Sequence, residues 1–338
     1  MIKKSSFTKV KSALVLSAAL MAPMVTTAAE LSFSTETTSS ELVEQIKLIT
    51  ENQVGSIGVA ASVIGQDSAV FVNGNEHFPM ASTIKVPIAM AVMQKIDNRE
   101  LTLDQLIAID DNEWVFSPII ATELIHSGVS LSVANILELM IVHSDNTAAD
   151  VAFRLAGGPG GLNKYLASIG RSDIDASRYM RDLMADLDLS TGREHMADVV
   201  KKITSTQELA KAYANPTYEA DMRDQATPES ILKLLIQLDQ GEANISQEST
   251  DFLLGVMGRT KTGTNRLKAQ LPDGVTIQHK TGTNVGVAND IGFITLPDGE
   301  RVAIAVYTKG SNTPSDEREL AIAEVGKLIT EYYQLQAQ

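Results

Sequence analysis

The chain contains no cysteine. That absence excludes disulfides, thiolate metal ligands, a cysteine nucleophile and a lipid attached to cysteine behind the N-terminal apolar stretch. Histidine is sparse as well. His77, His126, His143, His195 and His279 stand in no metal-ligand spacing, which disfavours a zinc hydrolase and implies no metal or cofactor. Positive charge is in deficit: 28 Lys and Arg face 42 Asp and Glu, a formal charge of −14. Nucleic acid is therefore not an expected partner, because phosphate binding needs a net basic face. The glycine-rich run Gly157-Gly158-Pro159-Gly160-Gly161 lacks the Lys-Ser/Thr of a phosphate loop and reads as a connection between helices.

What is present is an ordinary globular balance: 338 residues, 44% hydrophobic and 21% charged. The length allows one large domain or two small ones. Without disulfides the protein must hold together by core burial, which roughly 300 residues can supply. The first 29 residues read as a secretory signal peptide. Lys3, Lys4, Lys9 and Lys11 make a basic start, Ala13–Ala22 is mostly apolar, and Thr27 and Ala29 are small residues at cleavage positions. The apolar run is too short to span a bilayer comfortably, so no membrane anchor is expected. Cleavage removes four lysines and no acid, taking the charge from −14 to −18. The mature chain, 30–338, is expected to be a periplasmic or secreted monomer. An anionic small molecule bound by so acidic a chain would need positive charge gathered locally in a cleft.

Periodicity then orders the mature chain. Ser40–Glu51 reads as a helix, with Leu42, Ile46 and Ile49 on one face and Ser40 as N-cap. Ser56–Ile64 and Ala69–Asn73 read as strands. From Ser82 onward the period is helical, through Leu131–His143, Thr147–Leu155, Leu162–Ile169, Ser230–Leu238 and Ser249–Met257. Strands return at Val275–Lys280, Asp290–Leu296 and Arg301–Thr308, and a helix closes the chain over Asp316–Tyr333, with Leu320, Val325, Leu328 and Ile329 toward a core. Strands at both ends with helices between them predict an α+β fold: an antiparallel sheet built from both chain ends, flanked by helices, with an inserted all-helical lobe. The sheet lobe spans about 40–81 and 260–338, the helical lobe about 82–259. A cleft between the lobes is the expected binding site.

Three short patterns carry chemistry. In Ser82-Thr83-Ile84-Lys85 the serine and lysine share a helix face. A serine opening a helix feels the positive end of its dipole, and a buried lysine with a lowered pKa can take its proton. Alone this is a weak signal and reads as an N-cap beside a snorkelling lysine. Ser144-Asp145-Asn146 closes one helix and opens the next, and alone is an ordinary capping sequence. Lys280-Thr281-Gly282 ends an alternating strand, where the glycine lets a ligand approach the backbone.

The three occur in order, on helix, helix junction and strand, and together they resemble the class A β-lactamases and their penicillin-binding relatives. The flanking sequence extends the resemblance: Phe78-Pro79-Met80, Phe116-Ser117-Pro118, Thr147-Ala148-Ala149, Gly157-Gly158-Pro159 with Leu162, Arg223-Asp224, Pro228, Leu271-Pro272 and Asn289-Asp290. A second lysine triplet, Lys261-Thr262-Gly263, is a decoy: it follows a helix in a polar loop and fits the family's Thr-Gly-x-x-Arg segment through Arg266. The resemblance implies a small-molecule β-lactam substrate. Ser82 would attack the amide carbonyl and Lys85 activate it, the N–H groups of Ser82 and Thr283 would hold the oxyanion, and Ser144 would relay a proton to the leaving nitrogen. Asn146 would hold the substrate's side-chain amide and Phe116 wall the cleft. Lys280, Thr281, Thr283 and Arg266 would bind the carboxylate, the arginine by a bidentate contact.

One segment departs from the pattern. Arg178 and Asp224 look like the ends of the loop that in the family carries the deacylating glutamate, and they are expected to pair. The loop between them is longer here. Counted from Arg178 the glutamate position is Met180; counted back from Asn215 it is Lys211; neither is acidic. Glu208, Glu219 and Asp182 are alternatives, none assignable. Three readings therefore stay open: a turning-over class A β-lactamase, a cell-wall D,D-peptidase-like hydrolase, and a penicillin-binding sensor that acylates and stops.

Overall fold

The computed structural model describes residues 38–336 except 54, 67–68, 188–190 and 199–213. The expected leader 1–29, Glu208 and Lys211 lie outside the described residues.

Helix α1 (Ser39–Glu51) is followed by strands β1 (Ser56–Val63), β2 (Ala69–Val72) and the short β3 (Phe78–Pro79). The 3-10 turn Ala81–Ile84 leads into α2 (Lys85–Asp97). Then come β4 (Leu106–Ala108), α3 (Ile120–Glu123), β5 (Ser130–Ser132), α4 (Val133–Val142), α5 (Asn146–Leu155), α6 (Gly158–Ser168) and α7 (Met180–Asp186). The chain continues through α8 (Pro216–Ala220), β6 (Gln225–Ala226), α9 (Pro228–Asp239) and α10 (Gln247–Met257). It ends with β7 (Thr276–Asn284), β8 (Val287–Thr295), β9 (Arg301–Lys309) and α11 (Ser315–Gln336).

The main sheet runs β2-β1-β9-β8-β7, antiparallel throughout, so both chain ends build it as the α+β reading requires. Val59 lies opposite Val306 and Ala60 opposite Ala305. Because residues alternate across a strand, β9 serves two cores. Val302, Ile304 and Val306 meet α1 and α11, whereas Ala303, Ala305 and Tyr307 meet the helical side. Helix α9 packs on β1 and β9. Gly58 allows this, since a Cβ there would come within 2.5 Å of Phe78 and 2.7 Å of Pro228. No helix among the described residues is long and apolar enough to cross a membrane.

Several element boundaries differ from the sequence reading, each for a local reason. The cap of α1 is Thr38, not Ser40: Thr38 and Glu41 form a reciprocal capping box, and Ser40 has Val43 where a box needs an acid or amide. Leu131 lies in β5 opposite Ile107, and α4 starts after Ser132, whose hydroxyl accepts from the Asn135 N–H. Helix α6 starts within the glycine run, with Gly157 left-handed (φ 96°) and Pro159 in the first turn. Leu320 is 48% exposed, because the buried stripe of α11 runs through Ala321, Val325, Leu328 and Tyr332. Strand β7 continues through Lys280-Thr281-Gly282 to Asn284, pairing with β8 across a tight turn at Gly286.

Candidate active site

Ser82 sits in the 3-10 turn, where residues three apart come onto one side. The turn is pinned from the sheet. The Asn289 amide donates to the carbonyls of Pro79 (2.8 Å) and Met80 (3.2 Å), and the Thr83 hydroxyl bonds the Met80 carbonyl and Tyr307 (both 2.8 Å). Gly282 lets β7 pass directly alongside: a Cβ there would stand 2.6 Å from the Met80 carbonyl. Ala81 is held at φ 46°, a left-handed conformation costing a non-glycine residue about 1–3 kcal/mol. The result is a partly exposed Ser82 whose hydroxyl has no hydrogen-bond partner among the described residues, above a fully buried Lys85.

The Asp145 carboxylate caps α5 through the Ala148 N–H and also accepts from the N–H groups of Ile119 and Ile120. This fixes the junction, with Ser144 at φ 58°. The Ser144 hydroxyl consequently lies between two ammonium groups. Lys85 Nζ donates to Ser144 Oγ (3.2 Å), the Ser144 carbonyl (2.7 Å) and Asn146 Oδ1 (2.7 Å). Lys280 Nζ donates to the same Ser144 Oγ (3.0 Å) and to the Thr281 carbonyl (2.7 Å). Burial pushes Lys85 down to about 7, against the pull of Asp145 and Asp150. Lys280 is pushed well below the ordinary lysine range by burial and by the neighbouring charge of Lys85. Asn146 turns its amide N–H to the Phe116 carbonyl (2.9 Å), which ties the half-buried Phe116 to the site.

Thr281 and Thr283 continue the β7 wall. The Thr281 and Thr262 hydroxyls are 2.6 Å apart. A Cβ on Gly263 would meet Thr281 at 2.4 Å, so the second lysine triplet lies against the first while Lys261 itself is exposed. Arg266 is buried beneath this wall with every donor engaged. Nη1 bonds the Gly282 and Asn289 carbonyls (3.0 and 2.9 Å), Nη2 bonds Thr283 Oγ1 (2.7 Å) and Glu319 (2.9 Å), and Nε bonds Glu319 (3.2 Å). With five donors committed, the guanidinium reaches the β7 wall through Thr283, whose hydroxyl oxygen accepts from Nη2.

Residues 41–333 match the Beta-lactamase enzyme family. The chain belongs to that family. It is 30% identical to β-lactamase VEB-1 of Pseudomonas aeruginosa, covering 87% of this chain and 91% of the relative. It is 32% identical to the extended-spectrum β-lactamase PER-1 of the same organism, covering 89% and 90%. Among solved structures, an ancestral class A β-lactamase superposes with TM-score 0.72 at 31% identity, over 86% of this chain and 99% of that one. The protein is thus a serine β-lactamase of the class A kind.

In this β-lactamase the long loop is anchored at its ends. Arg178 Nε donates to Asp224 Oδ2 (2.6 Å), and Nη1 reaches Asp186 (2.7 Å) and Asp221 (3.0 Å). Met180 is buried at the start of α7, and its N–H donates to Asp150 (2.6 Å), as does that of Arg181 (3.1 Å). Sequence reasoning missed Asp150. It lies one turn beyond Asn146 on the same face of α5, an acid inside the apolar stretch Ala148–Phe153, and that misfit was its only signal. Burial pushes its carboxyl up to about 7, against the two loop N–H groups. Of the other candidates, Asp182 is exposed and caps the Tyr179 N–H, while Glu219 is partly buried in α8. Glu319 was missed as well; nothing in its helix marks it as the partner of Arg266.

Proposed function

We propose that this β-lactamase opens β-lactams through an ester on Ser82 and then hydrolyses that ester. The observation that carries the reading is the Ser144 hydroxyl shared by Lys85 and Lys280, with Lys85 three residues after an unengaged Ser82. Ser82 Oγ attacks the amide carbonyl while its proton passes to Lys85, which is substantially uncharged near pH 7 because of its burial. The N–H groups of Ser82 and Thr283 hold the oxyanion. The C–N bond breaks as Ser144, re-protonated from its lysine neighbours, delivers a proton to the leaving nitrogen. Lys280 and the hydroxyls of Thr281 and Thr283, the latter oriented by Arg266, hold the substrate carboxylate. Asn146 and Phe116 line the side-chain end of the cleft. Water then attacks the ester, and the Lys85 and Asp150 region faces the loop from which the family draws its base. The leader supports export to the periplasm or medium, with 30–338 as the mature enzyme acting as a monomer.

Mass spectrometry seconds after mixing with a penicillin tests the complete cycle. Free-enzyme mass during continuing product release is the expected result. A persistent adduct on the unmodified protein overturns turnover in favour of the sensor reading, which Met180 at one of the two possible glutamate positions would then explain.

A further inference from the structure

The second lysine triplet, which the steps above leave unused, lies along the cleft strand and in step with it. The Thr260 hydroxyl donates to the His279 carbonyl (2.7 Å), and two residues further on the Thr262 hydroxyl meets the Thr281 hydroxyl (2.6 Å). Between them the Lys261 N–H donates to the carbonyl of Val142 (3.0 Å), at the end of α4 and two residues before Ser144, while the Lys261 side chain stays in solvent. Gly263 follows at φ 69°, and its missing Cβ leaves room for the Thr281 methyl group, which would otherwise stand 2.4 Å away. The half-buried Thr262 is therefore held against β7 by its neighbours on either side.

Thr281 and Thr283 are two apart on β7 and share a face of the strand. Each hydroxyl oxygen is met by one group from the segment after α10: Thr283 accepts from Arg266 Nη2 (2.7 Å), and Thr281 is met by Thr262. Among the described residues neither hydroxyl of the Thr262–Thr281 pair has another hydrogen-bond partner. A hydroxyl carries one donor and two acceptor sites, whereas a carboxylate only accepts. Once Thr281 gives its O–H to a carboxylate, the 2.6 Å contact has a single possible direction, with Thr262 donating to Thr281. We propose that Thr262 is a positioning residue for β-lactam binding, whose hydroxyl donates to Thr281 and turns the Thr281 O–H toward the substrate carboxylate. In this triplet the threonine, and not the lysine, serves the site. The inference rests on the reading that Thr281 meets the substrate carboxylate.

Steady-state kinetics with a penicillin and with its methyl ester compare the unmodified enzyme with Thr262→Val and Thr262→Ser. Valine keeps the branched shape and removes the donor. In Thr262→Val, kcat/KM for the acid should fall about three- to ten-fold, the worth of one net hydrogen bond, mostly through KM, while the ester changes by less than about two-fold. Serine keeps the donor and should recover the acid to within about two-fold of the unmodified enzyme. Equal losses on acid and ester, or serine and valine variants that behave alike, overturn the role of Thr262. Should Thr262→Val fail to fold, Thr262→Ala removes the same donor and carries the same comparison. The route is tested by adding Thr262→Val to Thr281→Val. A residue acting through Thr281 costs nothing further once that hydroxyl is gone, whereas losses that multiply mean that Thr262 meets the substrate itself and overturn the positioning role. An unmodified enzyme that shows no preference for the acid over the ester overturns the carboxylate reading of Thr281, a result distinguishable from the others.

Discussion

The two sides of the cleft are built on opposite terms. On one side Ser82, Lys85, Ser144 and Lys280 stand on a floor held by backbone hydrogen bonds, a glycine passage and a buried asparagine, with both lysines fully buried. On the other, the segment from Arg178 to Asp224 is secured at its ends, by the Arg178–Asp224 ion pair and by the Asp150 carboxylate beneath Met180 and Arg181. A catalytic floor tolerates no added residue, because a change of one position turns a side chain away from its partner. A loop pinned at both ends can lengthen at small entropic cost, since closure entropy grows only slowly with length. The extra length that the sequence reading assigns to this chain falls in the second region. On the proposed mechanism the acylation parts are therefore compactly defined, and deacylation is the step with room to differ from the family pattern.

The largest break in that comparison is at the proposed nucleophile. Ser82→Ala should abolish covalent labelling by a radioactive or fluorescent penicillin and lower kcat by at least about 10⁴-fold, while far-UV circular dichroism is unchanged. Label retained on the substituted protein would move the nucleophile elsewhere. Next in size is the contrast between the two lysine triplets. Lys280 is buried and bonded to Ser144, whereas Lys261 is exposed 19 positions earlier in sequence. Loss of a charge-assisted contact of about 1.5–3 kcal/mol makes Lys280→Ala at least about ten-fold poorer in kcat/KM, and Lys261→Ala should stay within about two-fold. Equal losses would show that burial does not separate the triplets.

The smallest effect sharpens the link between the two sides. On the proposed mechanism Lys85 accepts the serine proton only when uncharged, so kcat/KM should rise with pH through its value of about 7. Asp150 raises that value. In Asp150→Asn the pull is gone, Lys85 loses its proton more readily, and the acid limb should move a few tenths of a unit to lower pH. A limb that does not move, followed by steady-state hydrolysis, would mean that Asp150 carries no charge where Lys85 titrates.

Much of this was legible from residue order. The strands at both ends, the helices between them and the Ser144-Asp145-Asn146 junction are local patterns, and the capping role of Asp145 coexists with the site it helps shape. Lys280 was separable from Lys261 because only one follows a strand-like run. The Arg178–Asp224 pair was anticipated, and it forms. Arg266 was placed in the carboxylate pocket, but the commitment of all its donors was not readable, because Glu319 lies 53 residues away on α11. Asp150 left only a faint mark, an acid in apolar company.

By itself the sequence determined what each segment would become and which chemical groups it would carry, because helix and strand periods, caps and turns depend on residues a few positions apart. The tertiary structure decided the state of those groups. Lys85 reaches Ser144 across 59 positions and Lys280 reaches it across 136. The proton affinity of each lysine follows from removal of water and from charges brought in by other elements, and these act through space rather than along the chain.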